Sequence, residues 1–230
     1  MKKTFLLSCL MLAAMPVMAA YTGHVYVDKN KNGVFDQSEK PLAGIKVSDG
    51  LNVVETAADG SFTLPGHERE RFIFITTPSG YKTFNRHYHK IEKKQSGYDF
   101  GLIPYSGRIR KDGSHRYIHI TDTEIFNTEN HADWVNNVRD YARNEQAAFI
   151  IHTGDICYEK GLKAHIKLMN TENMDCPVFY CIGNHDLVKG KYGEELFESI
   201  YGPVYYSFDA GNVHYVVTPM SGGDHAPGYT

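Results

Sequence analysis

Short apolar stretches alternate with turn residues along the first hundred positions. The stretches 23–27, 43–47, 51–55, 61–64, 71–75 and 98–102 carry the β-branched and aromatic residues typical of strands. Asp49-Gly50, Asp59-Gly60, Pro65-Gly66 and Pro78-Ser79-Gly80 punctuate them as turns. This rhythm predicts an N-terminal antiparallel β-sandwich over 21–105. A Gly-, Arg-, Lys- and Ser-rich linker follows over 106–115. Beyond it the period changes. Strands are expected at 117–121, 147–152 and 177–182, and helices at 132–144, 159–170 and 192–200. Trp134, Val138 and Tyr141 share one face of the first helix and are expected to be its buried side. The order β-α-β-α-β predicts a parallel sheet, and a hairpin follows at 205–208 and 213–217. The chain reads as an α+β protein of two domains, a sandwich and then an α/β unit over 116–230.

The first twenty residues stand apart. Lys2 and Lys3 precede an apolar run over 5–15 broken only by Ser8, and Val17-Met18-Ala19 supplies small residues for cleavage. This is the pattern of a secretory signal peptide, which places the protein in the periplasm or outside the cell. Cys9 leaves with it, lipid attachment there being the alternative. No later run is apolar for eighteen residues, so no transmembrane segment is expected. The 230 residues hold 24 basic and 27 acidic side chains, a net charge of −3. That balance excludes the basic field needed for duplex nucleic acid. Cys157, Cys176 and Cys181 remain. The last two flank a strand of about 16 Å, too long for a disulfide.

Candidate chemistry gathers after the three strands of the second domain. The blocks are Asp122-Thr123-Glu124, Gly154-Asp155-Ile-Cys-Tyr-Glu159 and Gly183-Asn184-His185-Asp186. In an open α/β sheet, ligands sit beyond the carboxyl ends of the strands. Asp122, Asp155 and Asn184 could each simply cap a helix. All three at βα spacing, with two glycines and His185, point instead to a metal centre. Oxygen and imidazole donors suit Mn, Fe or Zn. Two such ions about 4 Å apart can hold both oxygens of a phosphoryl displacement.

These blocks, in this order, resemble the calcineurin-like metallophosphoesterase family, in its secreted bacterial type with an N-terminal β-sandwich. The stretch from Gly202 to His214 resembles the segment that follows in such proteins. The resemblance covers residues 115–230 and implies hydrolysis of a phosphate mono- or diester by two divalent transition metal ions. It implies Asp122 on one ion, joined there by Glu124, with Asp155 bridging the two. Asn184 binds the other ion and orients the phosphate. His185 protonates the leaving oxygen, and Asp186 orients or tunes that histidine. Three departures stand out. Glu124 replaces a histidine, and Glu159 stands where Asp or Asn is usual. The later strand histidine and the Gly-His-x-His block do not follow, since His214 and His225 lie in other contexts. The chain is therefore expected to be the N-terminal portion of a longer enzyme. A further C-terminal segment would complete the metal site, and this portion alone would be inactive.

The sandwich carries its own candidate site. Asp28, Asn30, Asn32, Asp36 and Glu39, with Gly33 at the sixth position, match the twelve-residue calcium loop. The alternative is a hairpin loop held by Asx turns. A rival reading of the whole follows from it: a calcium-binding surface or glycan-binding module with an inactive, truncated phosphoesterase domain. His119 and His152 are expected to be core histidines. His87 and His89 are expected on a solvated strand or loop, a second metal site being the alternative. Tyr205 and Tyr206 are expected to be sheet residues.

Overall fold

The run Phe72-Ile-Phe-Ile75 is buried at every position, where an ordinary sandwich strand would alternate. The computed structural model, which describes residues 20–188 and 190–219, shows why. The run is strand β6, and both of its faces are covered. The predicted leader lies outside the described residues except for Ala20, and so does His225.

The first half is a β-sandwich. One sheet has the order β2-β1-β9-β7, with β5 pairing the other stretch of β1. These are β1 (Ala20–Val27), β2 (Lys40–Pro41), β5 (Ser61–Pro65), β7 (Tyr81–Thr83) and β9 (Phe100–Pro104). The other sheet has the order β4-β3-β6-β8, from β3 (Lys46–Ser48), β4 (Val53–Glu55), β6 (Phe72–Ile75) and β8 (Tyr88–Lys90). Pairing is antiparallel except between β1 and β9, which run parallel and join the ends of the sandwich. Val25, Val47, Leu64, Ile73, Ile75 and Leu102 form the fully buried centre between the sheets. Gly23 lets β1 pass close to the chain: a Cβ there would lie 1.9 Å from the Tyr98 carbonyl oxygen.

The second half begins after a pinned connection, in which Ile109 bridges His115 and Arg108 donates to the Ala147 carbonyl at 3.0 Å. Strands β10 (Arg116–Ile120), β11 (Ala147–His152) and β12 (Val178–Tyr180) form a parallel sheet in that order. Helices α1 (Ala132–Asn144) and α2 (Glu159–Leu168) connect them. A short helix α3 (Glu195–Tyr201) and the hairpin β13 (Tyr206–Ala210) with β14 (Val213–Val217) follow. Helix α1 turns Val135 and Ala142 inward. Trp134 and Tyr141 are 43% and 60% exposed, so the two aromatics of the expected face lie outward while its Val138 packs against the core. The smaller side chains let the helix approach the sheet.

The two halves share a core. Phe72, Phe74 and Tyr88 of the sandwich pack with Phe149, Phe179, Tyr206 and Phe208 of the second half. Phe208 stacks on Phe179 with ring centroids 3.5 Å apart. Polar contacts cross the same seam. Arg71 meets the buried Glu198 carboxylate at 2.6 Å, and the Asp209 N–H donates to the Thr77 carbonyl at 2.8 Å. His152 is fully buried as expected, but His119 is exposed and reaches Thr153 at 2.7 Å. His87 is no solvated residue either, for its ring lies on Tyr206 at 4.5 Å.

That placement of His87 carries a pH dependence. Its Nε2 is shielded and without a hydrogen-bond partner among the described residues, and burial beside Arg86 lowers its pKa from 6.5 to about 4. Between those values the unfolded chain binds a proton that the folded chain does not. This contribution to stability is full above pH 6.5 and is lost as pH falls through 4. Going from pH 7.5 to 5 should cost the wild type about 2 kcal/mol more than His87→Phe, read from urea unfolding at both values. Equal losses would show that the ring titrates freely in the folded protein.

Candidate functional site

The ends of β11 and β12 touch through bare backbone. Gly154 has φ +98°, and a Cβ on it would lie 2.6 Å from the Gly183 nitrogen. A Cβ on Gly183 would lie 2.2 Å from both the nitrogen and the Oδ1 of Asp155. Glycine at both positions lets the two loops close on one another. Asp155 then serves its neighbour, its Oδ1 accepting the His185 N–H at 3.1 Å. The end of β10 joins them: the Asp122 N–H donates to the Gly154 carbonyl at 3.2 Å, and Thr121 donates to Asp122 Oδ2 at 2.6 Å.

Asp122, Glu124 and Asp155 have φ of +54°, +43° and +50°. Side-chain-bearing residues in that region carry a strain of about 1–3 kcal/mol each. Such strain persists only where the surroundings enforce it. His152 provides part of that enforcement. Its Nδ1 accepts the Gly154 N–H at 3.3 Å, so the neutral ring carries its proton on Nε2, 2.9 Å from the Thr123 hydroxyl oxygen. Thr123 in turn donates to the Ile156 carbonyl at 3.3 Å. Burial lowers the pKa of His152 to about 4, which keeps it neutral in this bracket.

Asp186 differs from its expected role. It is fully buried, and its Oδ1 accepts the N–H groups of Ile156 and Cys157 at 2.9 and 3.1 Å. Its Oδ2 accepts the Gly183 N–H at 2.9 Å. Oδ1 thus fastens the β12 loop to the β11 loop while Oδ2 closes the β12 loop on itself, and Asp186 is a positioning residue of the backbone. Burial raises its pKa to about 6 against the lowering effect of these three donors. The carboxylate beside the His185 ring is that of Glu124, with Oε1 3.5 Å from Nδ1. The other side of the ring lies on Tyr158, with centroids 4.9 Å apart and planes at 20°. Tyr158 was not anticipated; nothing in its local sequence distinguishes it from a helix-capping neighbour. Asn184 is exposed at the head of a single 3-10 turn over Asn184–Asp186. Glu159 opens α2.

Asp122, Glu124, Asp155 and Asn184 therefore stand on three adjacent strand ends. Among the described residues, the group of three acidic and histidine side chains whose ligand atoms converge within 4.8 Å lies elsewhere: Asp49, His67 and Glu70 in the sandwich. A cleft of about 530 Å³ between the halves is lined by His87, Tyr88, Phe179 and Tyr180 and by none of the strand-end residues. The twelve-residue loop is folded on itself. Asp28, almost wholly buried, accepts the N–H groups of Asn32 and Gly33 at 3.2 and 2.9 Å. Glu39 accepts those of Lys29 and Asp36, and Asp36 Oδ2 accepts the side-chain amides of Asn30 and Asn32. Gly33 has φ +73°, which makes the tight turn that the sixth position of a calcium loop requires.

Residues 29–104 match the family model described as the N terminal of calcineurin-like phosphoesterase. Residues 115–224 match the model described as calcineurin-like phosphoesterase. Among curated proteins none matches the chain.

The bracket formed by Asp186 is open to test. An asparagine there turns an amide donor toward at least one main-chain N–H. Asp186→Asn should lose about 1–3 kcal/mol in urea unfolding at pH 7. Hydrogen exchange at Ile156, Cys157 and Gly183 should rise together. Unchanged protection at those three amides would show that other contacts hold the loops.

Proposed function

Since the chain belongs to the calcineurin-like phosphoesterase family, a family of metal-dependent phosphoester hydrolases, we propose that it is an exported member acting through a dinuclear metal centre. The observation that carries this reading is the contact of the Gly154–Asp155 and Gly183–Asn184 loops beside Asp122. It sets carboxylate and amide donors on neighbouring strand ends. The donor set fits divalent ions. Three carboxylates and an amide offer oxygens, and the backbone of the three carboxylate residues is held in a conformation that only a constrained loop retains. Asp122 and Glu124 would hold one ion and Asn184 the other. Asp155, in the loop after the central strand β11, would be the carboxylate that serves both. Bound there, Mn, Fe or Zn supplies Lewis-acid neutralisation and an activated water.

The chain's own residues prepare the rest. The His185 imidazole is about one-third exposed and can be reached by a substrate. Tyr158 fixes its plane, and Glu124 stands beside Nδ1, an atom that is shielded and has no hydrogen-bond partner among the described residues. His185 is thus oriented to pass a proton to the leaving oxygen of a phosphoester. Asp186 holds the loop that carries it. Among the described residues no helix is long and apolar enough to cross a membrane. The N-terminal pattern at Lys2, Lys3 and residues 5–15 supports export to the periplasm or beyond.

Asp155→Asn in the natural full-length chain should lower metal-dependent hydrolysis more than about a hundredfold with the melting temperature little changed. A nitrophenyl monoester and diester assayed side by side would identify the substrate class. Retained activity would rule out Asp155 as the shared ligand.

The sandwich loop is proposed to hold calcium. Asp28, Asp36 and Glu39 place three carboxylates in one twelve-residue loop, and a cation relieves their repulsion. Calcium at a hundred times its dissociation constant should stabilise the chain by about 2.7 kcal/mol, and Asp36→Asn should abolish the response. Absence of a calcium-dependent shift in melting temperature would leave a hairpin loop held by its own side-chain bonds.

A further inference from the structure

A second cluster lies at one end of the sandwich, apart from both sites above. Asp49 stands in the turn between β3 and β4, and His67 and Glu70 in the connection from β5 to β6. One ligand atom from each lies within 4.8 Å of the others. We propose that Asp49, His67 and Glu70 form a structural site for a zinc-like divalent cation.

The spacing of the donors is the first argument. His67 Nε2 is 3.5 Å from Asp49 Oδ1. That is long for a hydrogen bond. Two ligands each about 2.1 Å from one tetrahedral ion stand about 3.4 Å apart. The second argument is the state of the imidazole. Nε2 is shielded from solvent and has no hydrogen-bond partner among the described residues, although the Asp49 carboxylate faces it. The third is the support behind the carboxylates. Asp49 is almost wholly buried, and its oxygens accept the N–H groups of Leu51 and Asn52 and the Asn52 amide at 2.7–2.9 Å. Glu70 accepts from the Tyr21 hydroxyl and from the His67 N–H. Burial and the neighbouring Glu70 keep Tyr21 protonated, so it orients Glu70 as a donor. Outer partners of this kind fix ligand direction at zinc sites. One imidazole and two carboxylates also match zinc by donor type.

Binding at Nε2 puts the ring proton on Nδ1. The 3.2 Å contact in which the Arg69 N–H donates to Nδ1 must then open. The ion would fasten the β5–β6 connection to the β3–β4 turn, next to β1. It would act on the rigidity of β6 rather than on hydrolysis.

The test is zinc titration of the full chain in an Asp155→Asn background, which separates this site from the proposed catalytic centre. The expected result is one zinc equivalent lost in both His67→Ala and Glu70→Gln, with affinity at that site down about a hundredfold or more. Zinc should raise the melting temperature of the parent and of neither variant, and should shift the Arg69 amide resonance. Equal zinc stoichiometry in parent and variants would overturn the proposal. So would a stability loss in His67→Ala that is the same with zinc and with chelator, which is the signature of a simple Asp49–His67 ion pair.

Discussion

The molecule depends on one strand buried on both faces. Ile73 and Ile75 of β6 enter the sandwich centre, while Phe72 and Phe74 enter the core shared with the second half. Four consecutive large apolar side chains leave β6 no face for water. The sandwich and the α/β sheet thus divide a single wall between them. Separating the halves would expose Phe72, Phe74, Phe179 and Phe208 together, at about 25 cal/mol for each Å² of apolar surface. Arg71 and Glu198 sit at the rim of this wall. Removing one partner of such a buried pair strands the other charge and typically costs about 3–5 kcal/mol. The seam therefore resists sliding as well as separation.

What that rigidity supports is a strained edge. Asp122, Glu124 and Asp155 hold left-handed backbone, and Gly154 meets Gly183 at distances no side chain could tolerate. Nothing local favours this arrangement. It is imposed by hydrogen bonds within and between the loops: Asp186 on Ile156, Cys157 and Gly183, and His152 on Gly154 and Thr123. Both groups are buried, and burial acts on them in opposite directions. It raises the acid's pKa and lowers the histidine's, moving each toward its neutral form.

Much of the architecture was legible in the pattern. Helix α1 and strand β11 fall where the periodicity puts them, because thirteen residues of helix and six of apolar strand each carry a full signal. Strand β7 has no counterpart in the pattern, since Tyr81-Lys82-Thr83 carries no apolar alternation, and the β8 segment reads equally as strand or loop. Trp134 and Tyr141 misled because spacing identifies a face without saying which face is buried. The face that packs against the sheet is the one carrying the small apolar side chains of Val135 and Ala142. At the site, the blocks that carry the family signature are contiguous in sequence, so the residues and their strand ends could be read directly. The loop-fastening role of Asp186, the Tyr158 shelf and the Asp49–His67–Glu70 cluster could not. Each depends on segments far apart in sequence that only the folded chain brings together.

A site rich in carboxylates works against the stability of the domain that holds it. Like charges at adjacent strand ends repel, and their backbone is strained. The protein's answer is spatial separation. The aromatic interlock lies on one face of the parallel sheet, with Phe149 packed against Phe208 and Tyr215. The helices cover the other face, with Ile150 and Val178 beneath α1 and α2. The strand ends are left free of structural work apart from their own brackets. Cations entering such an edge would relieve repulsion already built into it. The same logic reaches the sandwich, where carboxylates again collect in turns rather than in the core. There Asp28 and Asp49 are buried only because main-chain N–H groups close around them. In both halves the acidic groups lie where backbone curvature offers donors, and the apolar wall of β6 keeps that curvature in place.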